Sequence, residues 1–427
     1  MEKQHGTSVT RRDFVKTAAT ASLAAAFPGS LGAFAAGSDI FKVGVIGCGG
    51  RGTGAALDCL KADPGVEIVA LGDLVPDRIE SSLARLTKEF PGRVKVPANR
   101  QFAGFDNYAG VCGCPEVNLI VTAAPPGFRP IHVKAAIEAG KHVFMEKPVA
   151  VDPLGIRSIM ATSDLAKQKG LALVAGTQRR HQGRYLEMMK RIKDGQIGDI
   201  VAAQCYWNQG DLWVKERTPN MTEIEWQCRN WLYFTWTSGD HIVEQHVHNI
   251  DVINWAMATM PKNVMGMGGR QVRVAPQFGN IFDHFAVEFE YPNGVRVLSM
   301  CRQTKGCNDR VEERIVGTKG VAWSTSSATR ITGASPWTFE KDEINPYVQE
   351  HVDLIASIRK GAPLNEGRQV AESTLTAIML RMSAYTGRAM KYDWVLNSSK
   401  LDITPAKLEL GPCPLDPVPV PGKTPLV

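Results

Sequence analysis

One stretch of the chain concentrates groups that can move protons: His241-Ile242-Val243-Glu244-Gln245-His246-Val247-His248-Asn249-Ile250-Asp251. On a continuous helix Glu244, His248, Asp251 and Trp255 share one face, so Glu244 reaches His248, orients its ring and supports an imidazolium. A zinc site would place two histidines four residues apart on one helix turn. The separations here are 5 and 2, and the reading is no metal. Proton transfer by His248, with Glu244 as its partner, stands against a structural role for the cluster. A second reactive place is Glu146-Lys147-Pro148, directly after the apolar run His142-Val143-Phe144-Met145.

What gives that lysine a context lies at the other end of the domain. Phe41-Lys42-Val43-Gly44-Val45-Ile46 is a short apolar strand that runs into Gly47-Cys48-Gly49-Gly50-Arg51-Gly52, and a helical pattern begins at Ala55. This is G-x-G-x-x-G between a strand and a helix. Gly47 permits the tight turn, Gly49 lets a pyrophosphate approach the backbone, and Gly52 allows close helix–strand packing. The helix start at Gly50 and Arg51 offers N–H donors to phosphate. Asp73 closes a second strand 21 residues after Gly52, where the carboxylate for the adenosine ribose is expected. Asp73 repels a 2′-phosphate and so favours NAD over NADP; Arg78 is the counter-signal. Strands and helices then alternate, and ligands of such sheets sit at the strands' carboxyl ends. Pro125 and the Glu146-Lys147 pair both fall at that edge, beside the expected nicotinamide.

The fold class predicted is α/β: an N-terminal Rossmann dinucleotide-binding domain over 37–168 and a C-terminal α+β domain over 169–400. The second domain carries a large open, mostly antiparallel sheet, and residues 401–427 form a Pro-rich extended tail that could clasp a neighbour. Phe285 to Tyr291 alternates, and Pro292-Asn293-Gly294 turns into Val295-Arg296-Val297-Leu298 as a hairpin. Trp213, Trp226, Arg229, Trp231, Tyr233 and Trp236 crowd one connector. Their faces can pack on sugar C–H surfaces while Arg229 and Asn208 bond hydroxyls; the same residues suit a hydrophobic flap or a subunit contact.

These motifs resemble the Gfo/Idh/MocA oxidoreductases, named for glucose–fructose oxidoreductase and inositol dehydrogenase. The glycine loop, Asp73, the Ala-Gly-Lys-His-Val-Phe-Met-Glu-Lys-Pro run at 139–148 and the Glu244 to Asp251 stretch carry the likeness, which covers nearly the whole chain after residue 36. The resemblance implies that Lys147 sits between nicotinamide and substrate. The family pattern Asp-x-Gly-x-His-x-x-Asp falls on Glu244, His246, His248 and Asp251, with Glu for the first Asp and His246 for the Gly. The expected catalytic set is Lys147, His248 and Glu244. The expected substrate contacts are Arg179, Asn208, Arg229, Trp231, His246 and Tyr347. The implied activity is NAD-dependent hydride transfer on a sugar, sugar derivative or cyclitol, by a homo-oligomer joined through the open sheet.

The first residues predict an address. Arg11-Arg12-Asp13-Phe14-Val15-Lys16, an Ala-rich run and Ala33-Phe34-Ala35 resemble a twin-arginine signal over 1–36, which would bring the export machinery as a partner and a periplasmic location. The run is too short and interrupted to insert in a membrane. A net charge of +6 on 427 residues is too slight to mark a nucleic-acid protein, and nine scattered cysteines without a CxxC pair make a poor disulfide framework. Free NAD is not expected outside the cytoplasm, so export implies a tightly bound cofactor or a redox-neutral reaction. The alternative is therefore an NAD-dependent glycoside hydrolase working by transient C3 oxidation and elimination, although that branch's Tyr-Pro-Thr-His segment is missing. A non-catalytic sugar- or cofactor-binding protein is a third reading, opposed by the joint presence of Lys147 and His248.

Overall fold

The computed structural model describes residues 40–427; the twin-arginine segment and the run after it lie outside the described residues. The first sheet has six parallel strands: β1 (Phe41–Ile46), β2 (Val66–Asp73), β3 (Gln101–Ala103), β4 (Leu119–Thr122), β5 (His142–Met145) and β6 (Leu173–Ala175). Their order, β3-β2-β1-β4-β5-β6, is that of a dinucleotide-binding fold. Val, Ile and Leu dominate β1, β2 and β4 because both faces of a parallel sheet are covered by helices. Helix Gly50–Ala62 buries Ala55, Ala56, Leu57, Cys59 and Leu60 against Phe41, Val43 and Val45.

The two halves interlock more than the sequence boundary at 168 suggests. β6 lies beyond it, and helix Pro346–Arg359 buries Leu354, Ile355 and Ile358 in the core of the first sheet. Each such side chain contributes roughly 1.5–3 kcal/mol when withdrawn from water, so the late helix is part of the first domain's packing.

The second sheet has nine strands: β7 (Ile200–Gln209), β8 (Asn263–Gly269), β9 (His284–Glu290), β10 (Arg296–Gln303), β11 (Arg310–Gly317), β12 (Gly320–Ser324), β13 (Thr329–Gly333), β14 (Trp337–Thr338) and β15 (Met390–Lys391). All neighbouring pairs are antiparallel except β10 with β7. In β10, Val297, Ser299, Cys301 and Gln303 point inward, while Leu298 and Met300 face out. Helices Val247–Met257 and Gly367–Thr386 cover the inner face. Residues 401–427 carry no helix or strand and turn at 421–424, and they are hydrogen-bonded to their own chain: Gly422 N–H to Thr386 O, Gln227 Nε2 to Cys413 O and Asn280 Nδ2 to Asp416 O. Among the described residues no helix is long and apolar enough to cross a membrane, and all nine cysteines are free.

Candidate active site

The glycine loop is built as its spacing requires. Gly47 has φ +89°, and a Cβ there would lie 2.4 Å from the Ala124 nitrogen; one at Gly52 would lie 1.7 Å from the Gly47 oxygen. A Cβ at Gly49 or Gly50 would meet nothing within 4 Å. So Gly47 and Gly52 are small because the chain closes on itself, whereas Gly49 and Gly50 face open space at a helix N-terminus. That space is a cleft of about 600 Å³ lined by Gly47, Gly49, Gly50, Arg51, Gly52, Asp73 and Pro125 among others. Asp73 accepts from the Cys48 N–H at 2.7 Å and the Val75 N–H at 3.1 Å. Burial raises its carboxyl from the ordinary range, with Arg78 acting against that. An open glycine cradle, a helix start and a carboxylate at the second strand's end together fit a dinucleotide.

Glu146 and Lys147 follow β5 just beyond that lining. Glu146 accepts from Arg51 Nε at 2.6 Å, which ties the glycine loop to the strand end. Lys147, whose bond to Pro148 is cis, donates from Nζ to the Glu244 carbonyl at 2.7 Å and to Glu244 Oε1 at 3.0 Å. Both side chains are nearly buried, 12% and 11% exposed, so each charge is compensated chiefly by the other.

The lysine meets the helix expected to align Glu244 with His248 at a break. The chain is helical over His241–Glu244 and again over Val247–Met257, with a break between. The Glu244 carbonyl, which a continuous helix would offer to the His248 N–H, accepts from Lys147 instead. The His246 N–H reaches back five residues to the His241 carbonyl at 3.1 Å. Glu244 therefore does not hold His248, and no hydrogen bond reaches that imidazole from any described residue. Its ring stacks on Trp207 at 5.7 Å between centroids. Burial, then the positive charges of Lys147 and Arg179, push His248 well below 6.5. The expected support for an imidazolium is corrected: burial and two positive charges favour the neutral imidazole of His248.

Residues 41–177 match the family model described as the oxidoreductase family with NAD-binding Rossmann fold, and 185–323 match that of the Gfo/Idh/MocA C-terminal domain, together more than half of the chain. The chain belongs to the Gfo/Idh/MocA oxidoreductase family. Inositol 2-dehydrogenase/D-chiro-inositol 3-dehydrogenase of Lactiplantibacillus plantarum is 25% identical over 261 residues, 61% of this chain. The match spans 64% of that relative, short of two thirds of its length. The crystal structure of aldose-aldose oxidoreductase from Caulobacter crescentus complexed with glycerol shares the fold at a TM-score of 0.65 and 17% identity, over 82% of this chain and 99% of that one. Levoglucosan dehydrogenase in complex with NADH and levoglucosan does so at 0.67 and 16%, over 82% and 99%.

Within this Gfo/Idh/MocA frame the expected substrate residues divide. Arg179 stays beside the site: its guanidinium lies 5.7 Å from the Trp207 ring centroid and is held by Glu313. Tyr347 lies under the Arg51 guanidinium, 4.9 Å from its ring centroid, and accepts from Gln178 at 3.3 Å. Asn208 does not join them; it follows Trp207 in β7 and so faces the sheet's other side. His246 is fully buried, bonded to Ser299 Oγ at 2.7 Å, and burial pushes it down to about 3, so it is a core group without substrate access. Arg229 and Trp231 line the dinucleotide cleft. Asp251 accepts from Arg180 twice at 2.8 Å and from Ser373 at 2.7 Å, anchoring the helix beneath His248. Trp207 was missed, although the period-two pattern of β7 places it on the face of Cys205 and Ala203.

Glu350 was missed as well. It is fully buried on helix Pro346–Arg359, both its carboxyl oxygens lack a hydrogen-bond partner among the described residues, and burial and then Glu146 raise it well above 4.5. Such a carboxyl holds its proton more tightly when folded than when unfolded. Its contribution to stability is therefore present below 4.5 and lost as pH rises toward the folded value. The buried histidines act oppositely, since burial lowers His132 and His351 to about 3 and stability from them is lost as pH falls below 6.5. Glu350→Gln isolates the first effect. Denaturant melts at several pH values are expected to show the variant gaining on wild type above the ordinary carboxylate range, by up to about 1.4 kcal/mol per pH unit. Parallel curves would contradict a Glu350 carboxyl raised by folding.

Proposed function

We propose that this protein is an exported oxidoreductase that transfers hydride between a carbinol or ketone of a sugar, sugar derivative or cyclitol and a tightly held NAD. The observation that carries the reading is a Lys147 ammonium, held by Glu244, whose charge favours the neutral form of a His248 imidazole that no described residue hydrogen-bonds. One is a donor and the other an acceptor for the same oxygen. A nicotinamide bound there supplies the acceptor or donor of the hydride. In the oxidative direction His248 takes the hydroxyl proton and Lys147 donates to the oxygen as its charge develops; in reduction His248 returns the proton. Glu244 acts on Lys147, holding its Nζ in place and balancing its charge. Trp207 offers a flat face for sugar C–H groups and fixes the His248 ring. The inositol dehydrogenase relative supports a polyhydroxylated ring as substrate.

Asp73 supports NAD over NADP, and the twin-arginine pattern supports loading of the nucleotide before export to the periplasm. Homo-oligomer formation through the open sheet is supported by its outer face, where Met265, Met267, Leu298 and Met300 are exposed together. The test is to denature protein recovered from its native compartment and identify what it releases. NAD(H) at substantial occupancy is expected; protein that arrives without nucleotide, yet works with added NAD, would contradict tight binding.

A further inference from the structure

The dinucleotide cleft has two walls, and only one of them comes from the Rossmann sheet. Trp213, Lys215, Cys228, Arg229 and Trp231 line the same cavity as the glycine loop and Asp73, although they belong to the connector after β7. Their positions are fixed internally. The Lys215 N–H donates to Asn230 Oδ1 at 2.8 Å, Trp226 Nε1 donates to the Lys215 carbonyl at 3.0 Å, and Trp213 meets Trp231 edge-on at 6.3 Å. Arg229 crosses the cleft mouth to Asp77 with two hydrogen bonds, at 2.9 and 2.8 Å, and is braced from behind by Glu225 at 2.9 Å. Asp77 lies four residues past Asp73, so the Arg229–Asp77 pair joins this wall to the chain just after the second strand.

The cations on this wall are not equally engaged. Arg229 is fully paired, whereas the Lys215 ammonium has no hydrogen bond or ion pair among the described residues and lies only over the Trp213 ring, 5.7 Å from its centroid. Lys215 is exposed and lines the same cavity as the open glycine cradle, so its unpaired ammonium is available to an anion held in that cavity.

We infer that the connector forms the second wall of the dinucleotide site, with Lys215 contacting the cofactor's diphosphate and the Arg229–Asp77 pair fastening the wall shut. The inference rests on the dinucleotide reading and extends it: retention of the cofactor resides in the second domain. It also reassigns the aromatic cluster from sugar binding to cofactor enclosure.

The test is the release rate of NADH from loaded full-length protein, followed by loss of tryptophan-to-nicotinamide energy transfer after a chase with excess NAD. Lys215→Ala is expected to speed release at least about 10-fold, the worth of one charge-assisted hydrogen bond, and Lys215→Arg to restore most of it. Arg229→Ala is expected to give about 5-fold, because Asp77 is 61% exposed and its pair is screened. Release at the wild-type rate from both alanine variants overturns the inference. So does a Lys215 effect confined to NADPH, which would move the contact to a 2′-phosphate. Wild-type protein that takes up neither NADH nor NADPH overturns the dinucleotide reading, and the second wall with it.

Discussion

Lys147→Met is expected to lower turnover at least about 100-fold while nucleotide occupancy stays at the wild-type level. The methionine keeps the length of the stem and removes the ammonium. No other cation replaces it: Arg51 is committed to Glu146 and Asp58, and Arg179 to Glu313. The developing charge on the substrate oxygen then has no donor, and Glu244 keeps a nearly buried carboxylate without its partner. Loss of that compensation should also lower the melting temperature, so turnover is to be compared well below the transition. A variant with normal occupancy and near-normal turnover would remove Lys147 from the chemistry. Because Lys147 lies outside the cleft lining, occupancy serves as the internal control.

His248→Ala is expected to be comparably severe, at least about 100-fold in turnover, and it carries a pH signature. Burial, Lys147 and Arg179 all hold the wild-type imidazole well below 6.5. It is therefore already neutral, and able to accept a proton, at pH values where an ordinary histidine is charged. The acid limb of the kcat/KM profile should fall below 6.5 rather than at it. Removing Glu244's charge in Glu244→Gln should leave that limb nearly unmoved, because the carboxylate engages Lys147 and not His248. An acid limb at or above 6.5, shifted downward by Glu244→Gln, would restore the carboxylate–imidazole pair that a continuous helix implies.

The difference between those outcomes shows what a sequence can carry. The glycine loop was legible because its residues answer to local backbone demands: Gly47 to a left-handed turn, Gly52 to a neighbour five residues away. β1, β2 and β9 were legible from composition and alternation, and Asp73 from its distance to the loop. The Glu244–His248 relation was not, because the helix breaks there and the Glu244 carbonyl accepts from a lysine 97 residues earlier in the chain. The pairing of Arg229 was illegible for the same reason, as its partner Asp77 lies 152 residues away. His246 and Asn208 were misread because a polar side chain in a motif gives no sign of which way it faces. Ser299 takes one into the core, and the pleat of β7 takes the other to the far side of the sheet. Local rules placed the elements, and long-range pairings decided which side chains share the site.

The proposal that Lys147 and His248 serve one carbinol oxygen beside a nicotinamide is open to a single-turnover experiment. Nucleotide-loaded full-length protein is mixed rapidly with excess hexoses or inositols, and the near-ultraviolet absorbance of reduced nicotinamide is followed. At least one of these compounds should change the redox state of the bound nucleotide in one phase, and that phase should vanish in His248→Ala and Lys147→Met at equal occupancy. Bound nucleotide whose redox state is indifferent to every sugar and cyclitol offered, or a phase that survives loss of both side chains, would contradict the account.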